Sequence, residues 1–416
     1  MNKRNYQYLS VVFLFSSWVI FYTIPRHLQY PIFFLPAILL ILQSIHEEKK
    51  KISAAFLLFS IVIFRAFIPE KIILSDVSFW AGMIRALLIS SLFLIKKVHL
   101  SGIYFYFKKY LFFILLISLP FFLLHAIGFD PFGRIATYIG EEGAGRIWNV
   151  YLFFSLQDHP SHGEMLRFPA IFDEPGFLGV LLAFVLSIER FNFKNKRNRF
   201  FALCGILTFS MAFYLLSIIY FFSAAHVNMK LKKYTIVFIT FFIMLGALFF
   251  PVQMNNKIFD RFYTDEGFFW HTSGRVGIER QTIAIENMRS LTKSELLWGR
   301  GLGGDSESIS TPGVTWERLV VRLGIVCTVL FILLIFWYGS KNRNSFVFSL
   351  LFVISLLHRP VVFIPLWFFL LVYGIIVGES DEVIKEKNAK RLLFKKNEGE
   401  SYAGFVSIDT LNYKKQ

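Results

Sequence analysis

Repeated apolar runs of membrane length occur along this 416-residue chain and restrict what it can fold into. An α-helix needs roughly 20 apolar residues to cross the hydrocarbon core of a bilayer. Transmembrane β-strands instead appear as alternating segments of about ten residues. The runs therefore predict an all-α polytopic membrane protein. They lie at about 8–24, 30–45, 52–68, 77–95, 110–129, 170–188, 234–251, 317–337 and 360–377, with a shorter candidate at 345–357.

The positive charge of the chain is concentrated in the short connections between these runs. The formal net charge is +16, a value that can indicate a nucleic-acid partner. Here the distribution excludes that class, because basic connections on the cytoplasmic side are what membrane insertion selects. We therefore expect no nucleic acid and a cytoplasmic location for the basic segments 49–51, 96–109, 189–199 and 341–343, and for the tail from Glu379.

The stretch 200–224 decides the topology. One crossing would place Lys230, Lys232 and Lys233 outside, whereas a hairpin that turns near Ser210 keeps them in the cytoplasm. The charge rule favours the hairpin.

With the hairpin, the chain has about twelve transmembrane helices (10–12) and both termini in the cytoplasm. Residues 1–378 form the membrane domain, and 379–416 form a cytoplasmic basic tail. Two external loops, at about 130–169 and 252–316, carry the polar chemistry. In the second loop, the apolar spacing predicts one helix from about Ser273 to Trp298.

The stretch RFPAIFDEPGFLG, which begins at Arg167, joins the first external loop to an apolar run. A helix start explains two of its residues: Asp173 as the cap and Pro175 at the first helical position. Arg167 is not explained in this way, because Pro169 keeps it off that helix. A helix N-terminus attracts anions. Arg167 and the helix start therefore predict a phosphate or sugar site, with Glu174 as a base beside it.

Further arginines are candidates for the same chemistry. Arg85 falls near the middle of a span, where an ionised side chain costs about 2.5–3.5 kcal/mol, so we expect it to face a polar cavity or a lipid phosphate. Arg275 and Arg280 lie in the second external loop. On one helix they point about 140° apart, which is too far for one clamp, and a solvated amphipathic helix explains them equally well.

Neither a metal nor a nucleotide site is expected. His159 and His162 are separated by Pro160, which breaks the helical face that a metal pair would share. The segment GRGLGG at 299–304 follows a helix and lacks the GK[ST] ending of a phosphate-binding loop, so it is better explained as a tight turn. No cofactor is expected.

Four motifs in this order resemble the bacterial O-antigen polymerase and ligase superfamily. They are RFPAIFDEPG from 167, LTFS at 207–210, TSGR at 272–275 and LWGRGLGG at 297–304. The resemblance implies a GT-C-like membrane glycosyltransferase of the bacterial inner membrane, with its active site facing the periplasm or exterior. Its substrate would be a glycan carried on undecaprenyl diphosphate, with neither a nucleotide sugar nor a metal.

The resemblance also implies roles for the polar residues. Arg167 and Arg275 would bind the departing diphosphate and Glu174 would deprotonate the attacking hydroxyl. The substrate-binding candidates are Asp173, Arg280, Arg85 and Arg300.

Two departures from the family pattern matter. Met211-Ala212 follow LTFS where Arg-Gly is common, so Arg85 or Arg280 is expected to replace that cation. The segment 305–324 lacks the histidine that ligases place after the glycine-rich turn, which favours a polymerase over a ligase. A lipid-linked oligosaccharide flippase is the alternative from another class. Besides the glycan and the bilayer, a chain-length regulator and a flippase are the expected partners.

Overall fold

The computed structural model of the chain is mostly helical. It describes residues 3–16, 40, 53–61, 86–129, 132–139, 147–159, 163–164, 166–172, 175–224, 233, 236–237, 240, 263–264, 267–268, 288–300, 315–358 and 365–380. The prediction of a helical protein is confirmed. The tail 379–416 lies outside the described residues apart from its first two positions, and so does most of the loop 252–316.

Helices account for most of the described elements, and shorter helical stretches cover 53–61 and 86–92. We label the helices α1 (Lys3–Ser16), α2 (Lys97–Ala126), α3 (Pro175–Ile188), α4 (Lys196–Leu207), α5 (Met211–Ser223), α6 (Lys293–Trp298), α7 (Thr315–Gly339), α8 (Arg343–His358) and α9 (Pro365–Ser380).

Two described segments are long and apolar enough to cross a membrane: α2 and the part Leu319–Gly339 of α7. Only 33% of the most apolar window of α2 is buried. A core helix of a soluble protein would hide such a surface from water, so the exposure of α2 favours a lipid environment. Helices α3, α5, α8 and α9 are apolar but shorter than a full crossing. The remaining predicted spans stay a prediction.

The core of the bundle is built around α3, which is buried along its whole length. Its apolar residues face neighbouring helices on every side, a pattern that a helix surrounded by others requires. The rings of Phe177 and Phe184 lie 4.8 and 5.9 Å from Trp367 of α9. The ring of Phe107 of α2 lies 6.2 Å from that of Phe369 of α9. Helix α9 therefore packs against both α3 and α2.

The basic connections meet at one end of the bundle, which we call the basic end. Lys108 of α2 forms a 2.7 Å ion pair with Glu189, just after α3. Lys341, just before α8, pairs with Glu379 of α9 at 3.0 Å. The Lys97 ammonium of α2 also donates to the Ser380 hydroxyl, next to Glu379, so the two pairs lie at one end. The connections 96–109, 189–199 and 341–343, which the charge pattern predicts to share one side of the membrane, therefore meet there.

The stretch 200–224 forms a helical hairpin. Helix α4 ends at Leu207 and α5 begins at Met211. The far end of α5 returns to the basic end, where the ring of Phe221 lies 4.4 Å from that of Phe191. The Arg343 Nε there donates to the carbonyl oxygen of Ser223 at 3.0 Å. The prediction of a turn near Ser210 is confirmed.

The first of the two loops predicted to be external contains a small antiparallel sheet that the sequence did not predict. Its strands occur in the order β1-β2-β3-β4. Strands of two to five residues are too short to show an alternation of apolar and polar residues, so the sequence pattern predicted a loop in this region. A further two-stranded hairpin occurs in the second loop. The strands are β1 (Ala136–Ile139), β2 (Ile147–Val150), β3 (Ser155–His159), β4 (Gly163–Glu164), β5 (Tyr263–Thr264) and β6 (Gly267–Phe268).

The predicted helix from Ser273 to Trp298 is wrong at its C-terminal end. The chain leaves the helical conformation at 290–292, and α6 then starts afresh. The cause is a capping box: the Thr292 hydroxyl accepts from the Glu295 backbone N–H, and the Glu295 carboxylate accepts from that of Thr292. This pair stabilises a new helix start. The part 273–287 lies outside the described residues.

Candidate functional site

The structure describes two of the candidate site residues and two of the motifs around them. Arg167 precedes α3, and Arg300 follows α6. The LTFS turn and the LWGR segment are also described. The other candidates lie outside the described residues: Arg85, Asp173, Glu174, Arg275 and Arg280.

Arg167 fixes the segment before α3 onto the turn between α4 and α5. Its side chain is 9% exposed. The Nε donates to the carbonyl oxygen of Thr208 at 3.0 Å, and Nη2 donates to that of Phe209 at 3.2 Å. Beside it, the backbone N–H of Phe168 donates to the carbonyl oxygen of Leu207 at 3.0 Å. Hydrogen bonds from a charged donor are about twice as strong as neutral ones, so this arginine holds two distant parts of the chain together.

Each of the two segments that Arg167 joins contains one residue with an unusual backbone conformation. Ala170 has a φ of 51° and Phe209 a φ of 46°, in the left-handed region that residues with a side chain rarely adopt. Such strain costs roughly 1–3 kcal/mol per residue and persists only where the surroundings impose it. The Thr208 hydroxyl stabilises the turn by donating to the Gly205 carbonyl oxygen at 2.6 Å and accepting from the Ser210 N–H at 3.2 Å.

Helix α3 approaches the same turn closely because residue 179 is a glycine. A Cβ at Gly179 would lie 2.5 Å from the Cβ of Ser210, which is too close for two non-bonded carbon atoms. Gly179 is the last residue of the RFPAIFDEPGFLG stretch, and Ser210 is the last residue of LTFS. The two motifs therefore contact each other through side-chain hydrogen bonds, a backbone hydrogen bond and close helix packing.

The sheet β1–β4 also contacts this segment. The Ser155 N–H donates to the Ala170 carbonyl oxygen at 3.0 Å, and the Ser155 hydroxyl donates to that of Phe172 at 2.8 Å. The ring of Phe168, which is fully buried, lies 5.2 Å from that of Phe122 of α2. Sequence reasoning missed Ser155, because a single serine in a short strand gives no signal of such a contact.

Arg300 belongs to a second junction, where the LWGR segment meets α7. The Arg300 backbone N–H donates to the Val321 carbonyl oxygen at 2.6 Å. Its side chain forms a 3.1 Å ion pair with Glu295 of α6. The pKa of the Glu295 carboxyl lies below its ordinary value, first because the Thr292 backbone N–H donates to it and also because Arg300 is near.

Helix α7 is interrupted at the point where it contacts the LWGR segment. Gly324 has a φ of 75° and ψ of 165°, inside a helix of membrane-spanning length. Gly299, with a φ of 76°, lies directly against it. A Cβ at Gly324 would lie 2.2 Å from the Leu297 carbonyl oxygen, and a Cβ at Gly299 would lie 2.4 Å from the Gly324 nitrogen. The pair of glycines permits contact between the two backbones, and no sequence motif marked Gly324.

The Arg167 junction lies well inside the length of the bundle. Fourteen residues of α2 separate Lys108, paired at the basic end, from Phe122, which packs against Phe168. At 1.5 Å per residue this places Phe168 about 21 Å along the helix from the level of the Lys108–Glu189 pair. Helix α3 is also fourteen residues long, so its length equals this distance of about 21 Å.

Comparisons of the chain with protein-family models, with curated proteins and with solved structures give no significant match. The resemblance to the polymerase and ligase superfamily therefore rests on the quoted motifs and stays a prediction. Two of these motifs, separated along the chain by most of α3 and α4, are in direct contact. Within the described part of the chain, no group of three or more His, Cys, Asp or Glu is placed to hold a metal ion.

Proposed function

We propose that this chain is a membrane glycosyltransferase that polymerises undecaprenyl-diphosphate-linked oligosaccharide repeat units. The product would be a surface polysaccharide, such as an O-antigen, a capsule or an exopolysaccharide. The observation that carries the proposal is the junction in which Arg167 fixes the RFPAIF segment on the LTFS turn. These are two of the four motifs on which the family resemblance rests, and their contact gives them a common structural task.

The proposed reaction is a transfer at the anomeric carbon of the growing chain. A hydroxyl at the non-reducing end of a new repeat unit attacks that carbon, and the bond to the lipid diphosphate breaks. The proton passes to the Glu174 carboxylate, and the electron pair leaves with the diphosphate. Arg275 would neutralise the developing charge on the leaving group, a task that bidentate guanidinium groups suit.

The remaining candidate residues would bind the substrate. Asp173, two residues before the start of α3, would bind a sugar hydroxyl. Arg280, Arg85 and Arg300 would contribute positive charge toward the diphosphate. Arg167 acts mainly through position in this scheme, because two of its guanidinium nitrogens donate to backbone carbonyl oxygens. Its buried positive charge still favours an anion near the start of α3.

The depth of the Arg167 junction supports a lipid-linked substrate. The junction lies about 21 Å from the level of the Lys108–Glu189 pair, while the hydrocarbon core of a bilayer is about 30 Å thick. If the basic end faces the cytoplasm, the junction lies in the outer half of the membrane. A diphosphate carried on a membrane lipid can reach such a site from the bilayer.

The proposal includes a GT-C-like architecture with about twelve spans in the bacterial inner membrane. Both termini would be cytoplasmic, and the active site would face the periplasm or exterior. A chain-length regulator and a flippase are the proposed partners. A polymerase is preferred to a ligase because no histidine follows the glycine-rich turn within 305–324.

The test uses a deletion strain complemented with single variants. Glu174→Gln or Arg275→Ala is expected to leave the surface glycan as single repeat units. Lys293→Ala removes an exposed positive charge from the same external loop and serves as the matched control, with a normal ladder expected. A normal ladder of chain lengths in both site variants would overturn the roles of Glu174 and Arg275. Accumulation of long chains on the lipid carrier in the deletion strain would indicate a ligase instead.

A further inference from the structure

One face of α2 is a continuous apolar stripe. Its positions fall on a single side of a helix with 3.6 residues per turn, and each is exposed. Lys109 lies on the same face, toward the basic end. Eighteen residues separate Lys109 from Ile127, a rise of about 27 Å, which is close to the thickness of a bilayer's hydrocarbon core. The stripe consists of Phe113, Leu116, Ile117, Pro120, Leu123 and Ile127.

The stripe does not stop where the helix ends. Large apolar side chains beyond it stay exposed, from 43% for Leu152 to 78% for Ile127. We call this set the apolar tip, and it consists of Ile127, Phe129, Phe132, Ile135 and Leu152. The tip belongs to the chain segments that lead into β1 and connect β2 to β3.

The tip lies back against the last turns of α2. The ring of Phe153 stacks on that of Phe121 at 4.5 Å, and the ring of Phe132 lies 5.4 Å from Phe121 and 6.0 Å from Phe153. Phe121 lies five residues before the end of α2 at Ala126, or about 8 Å. The rings of the tip are therefore level with the upper part of the apolar stripe.

The surroundings of the tip favour lipid as its occupant. A contiguous exposed apolar surface of this kind marks an interaction site. This one continues a stripe whose length matches a bilayer, with no charged residue between Lys109 and Phe129. Arg134 lies beside the tip, exposed, with Nη1 donating to the Asn149 Oδ1 at 2.9 Å. Aromatic and aliphatic side chains flanked by a basic one are typical of segments that lie in the membrane interface.

We propose that the apolar tip inserts into the interfacial region of the outer leaflet and holds the β1–β4 sheet on the membrane surface. This inference rests on the membrane placement in the proposed function. It gives the sheet a task, because Ser155 of β3 is hydrogen-bonded to Ala170 and Phe172 in the segment before α3. The tip thereby sets the height of the Arg167 junction relative to the lipid phosphates.

The experiment measures contact with lipid in the full-length protein, reconstituted in phosphatidylcholine nanodiscs. Phe132→Cys and Ile135→Cys are labelled separately with an environment-sensitive fluorophore and titrated with acyl-chain-brominated lipid. Leu116→Cys, on the stripe of α2, is the lipid-facing control, and Lys293→Cys, on exposed α6, is the aqueous control. Cys204 and Cys327 are buried, and the unsubstituted protein measures their background labelling.

Brominated lipid is expected to quench the labels at 132 and 135 to at least half the extent seen at 116, with little quenching at 293. Quenching at 132 and 135 by aqueous iodide instead, with lipid quenching intact at 116, would overturn the proposal and leave the membrane placement standing. Shielding of both labels from both quenchers would show that protein covers the tip, which also overturns it. Absence of lipid quenching at 116 would count against the proposed function itself.

Discussion

At the scale of single residues, Arg167 shows how a cation at a predicted phosphate site can act through the backbone. Its guanidinium group donates to the carbonyl oxygens of Thr208 and Phe209 and is almost wholly buried. Only an arginine presents several N–H donors in a planar fork, whereas lysine is a compact point charge. We therefore assign Arg167 a positioning role in the proposed function, with its charge acting near the start of α3.

This role predicts that Arg167→Lys folds but polymerises poorly. One ammonium group cannot reproduce both hydrogen bonds, and loss of a hydrogen bond to a charged group costs about 1.5–3 kcal/mol. We expect at least a tenfold loss of polymer in glycan gels, with little change in the amount of membrane-inserted protein. Arg134→Lys, which changes an exposed arginine just before β1, is the control and should give a normal ladder. An Arg167→Lys ladder like that of the unsubstituted protein would contradict the positioning role.

The same residue shows what the sequence could reveal. The charge of Arg167 and its separation from the helix by Pro169 marked it as unusual. Its acceptors could not be predicted, because carbonyl oxygens belong to every residue and leave no trace in the side-chain pattern. The left-handed conformations at Ala170 and Phe209 were equally hidden, since neither residue type favours a positive φ.

Gly324 gives a second prediction at this scale. Gly324→Ala would place a Cβ 2.2 Å from the Leu297 carbonyl oxygen and also strain a φ of 75°. We expect α6 to lose its contact with α7, seen as faster amide hydrogen exchange across 293–300 and a lower melting temperature. Gly128→Ala is the matched control: its φ is 84°, but no atom lies within 4 Å of the added carbon. If both variants shift exchange and melting equally, backbone strain explains the effect and the glycine contact does not.

At the scale of elements, charge placement predicted more than periodicity did. The hairpin formed by α4 and α5 followed from the need to keep 230–233 on the same side as the other basic segments, and the structure has its turn at 208–210. The β1–β4 sheet was not predicted, because its strands are at most five residues long. The break before α6 had a readable signal in the spacing of Thr292 and Glu295, which the apolar periodicity obscured.

The capping box at this break carries a prediction for α6. A Thr to Ala change at an N-cap costs about 1 kcal/mol. For Thr292→Ala we expect amide exchange within 293–298 to rise about fivefold, since 1.36 kcal/mol corresponds to a factor of ten. Ser294→Ala, at an exposed position of the same helix, is the control and should leave exchange unchanged. Equal exchange in the two variants would show that the cap does not stabilise α6.

At the scale of the whole molecule, the contacts at the basic end link the topology to the function. Lys108–Glu189 and Lys341–Glu379 bring basic connections from distant parts of the chain to one end. The Arg167 junction lies toward the other end of α3. A protein with its basic end in the cytoplasm therefore presents this junction to the outer half of the membrane.

This orientation is tested by the accessibility of single cysteines in intact cells. Lys293→Cys, on α6, is expected to react with a membrane-impermeant maleimide added from outside. Lys194→Cys, at the basic end, is expected to react only after the membrane is permeabilised. The reverse pattern would place the loop 252–316 in the cytoplasm and remove the basis for an external site.

The central claim is tested most directly by the reaction of the purified protein. The full-length protein in nanodiscs is supplied with a defined undecaprenyl-diphosphate-linked repeat unit, without ATP or nucleotide sugar, and the products are separated by size. We expect a ladder of lipid-linked polymer that is absent for Glu174→Gln. Failure to form any polymer, with intact transfer of the lipid-linked unit across the bilayer of liposomes, would contradict the proposed polymerase function and indicate a transporter.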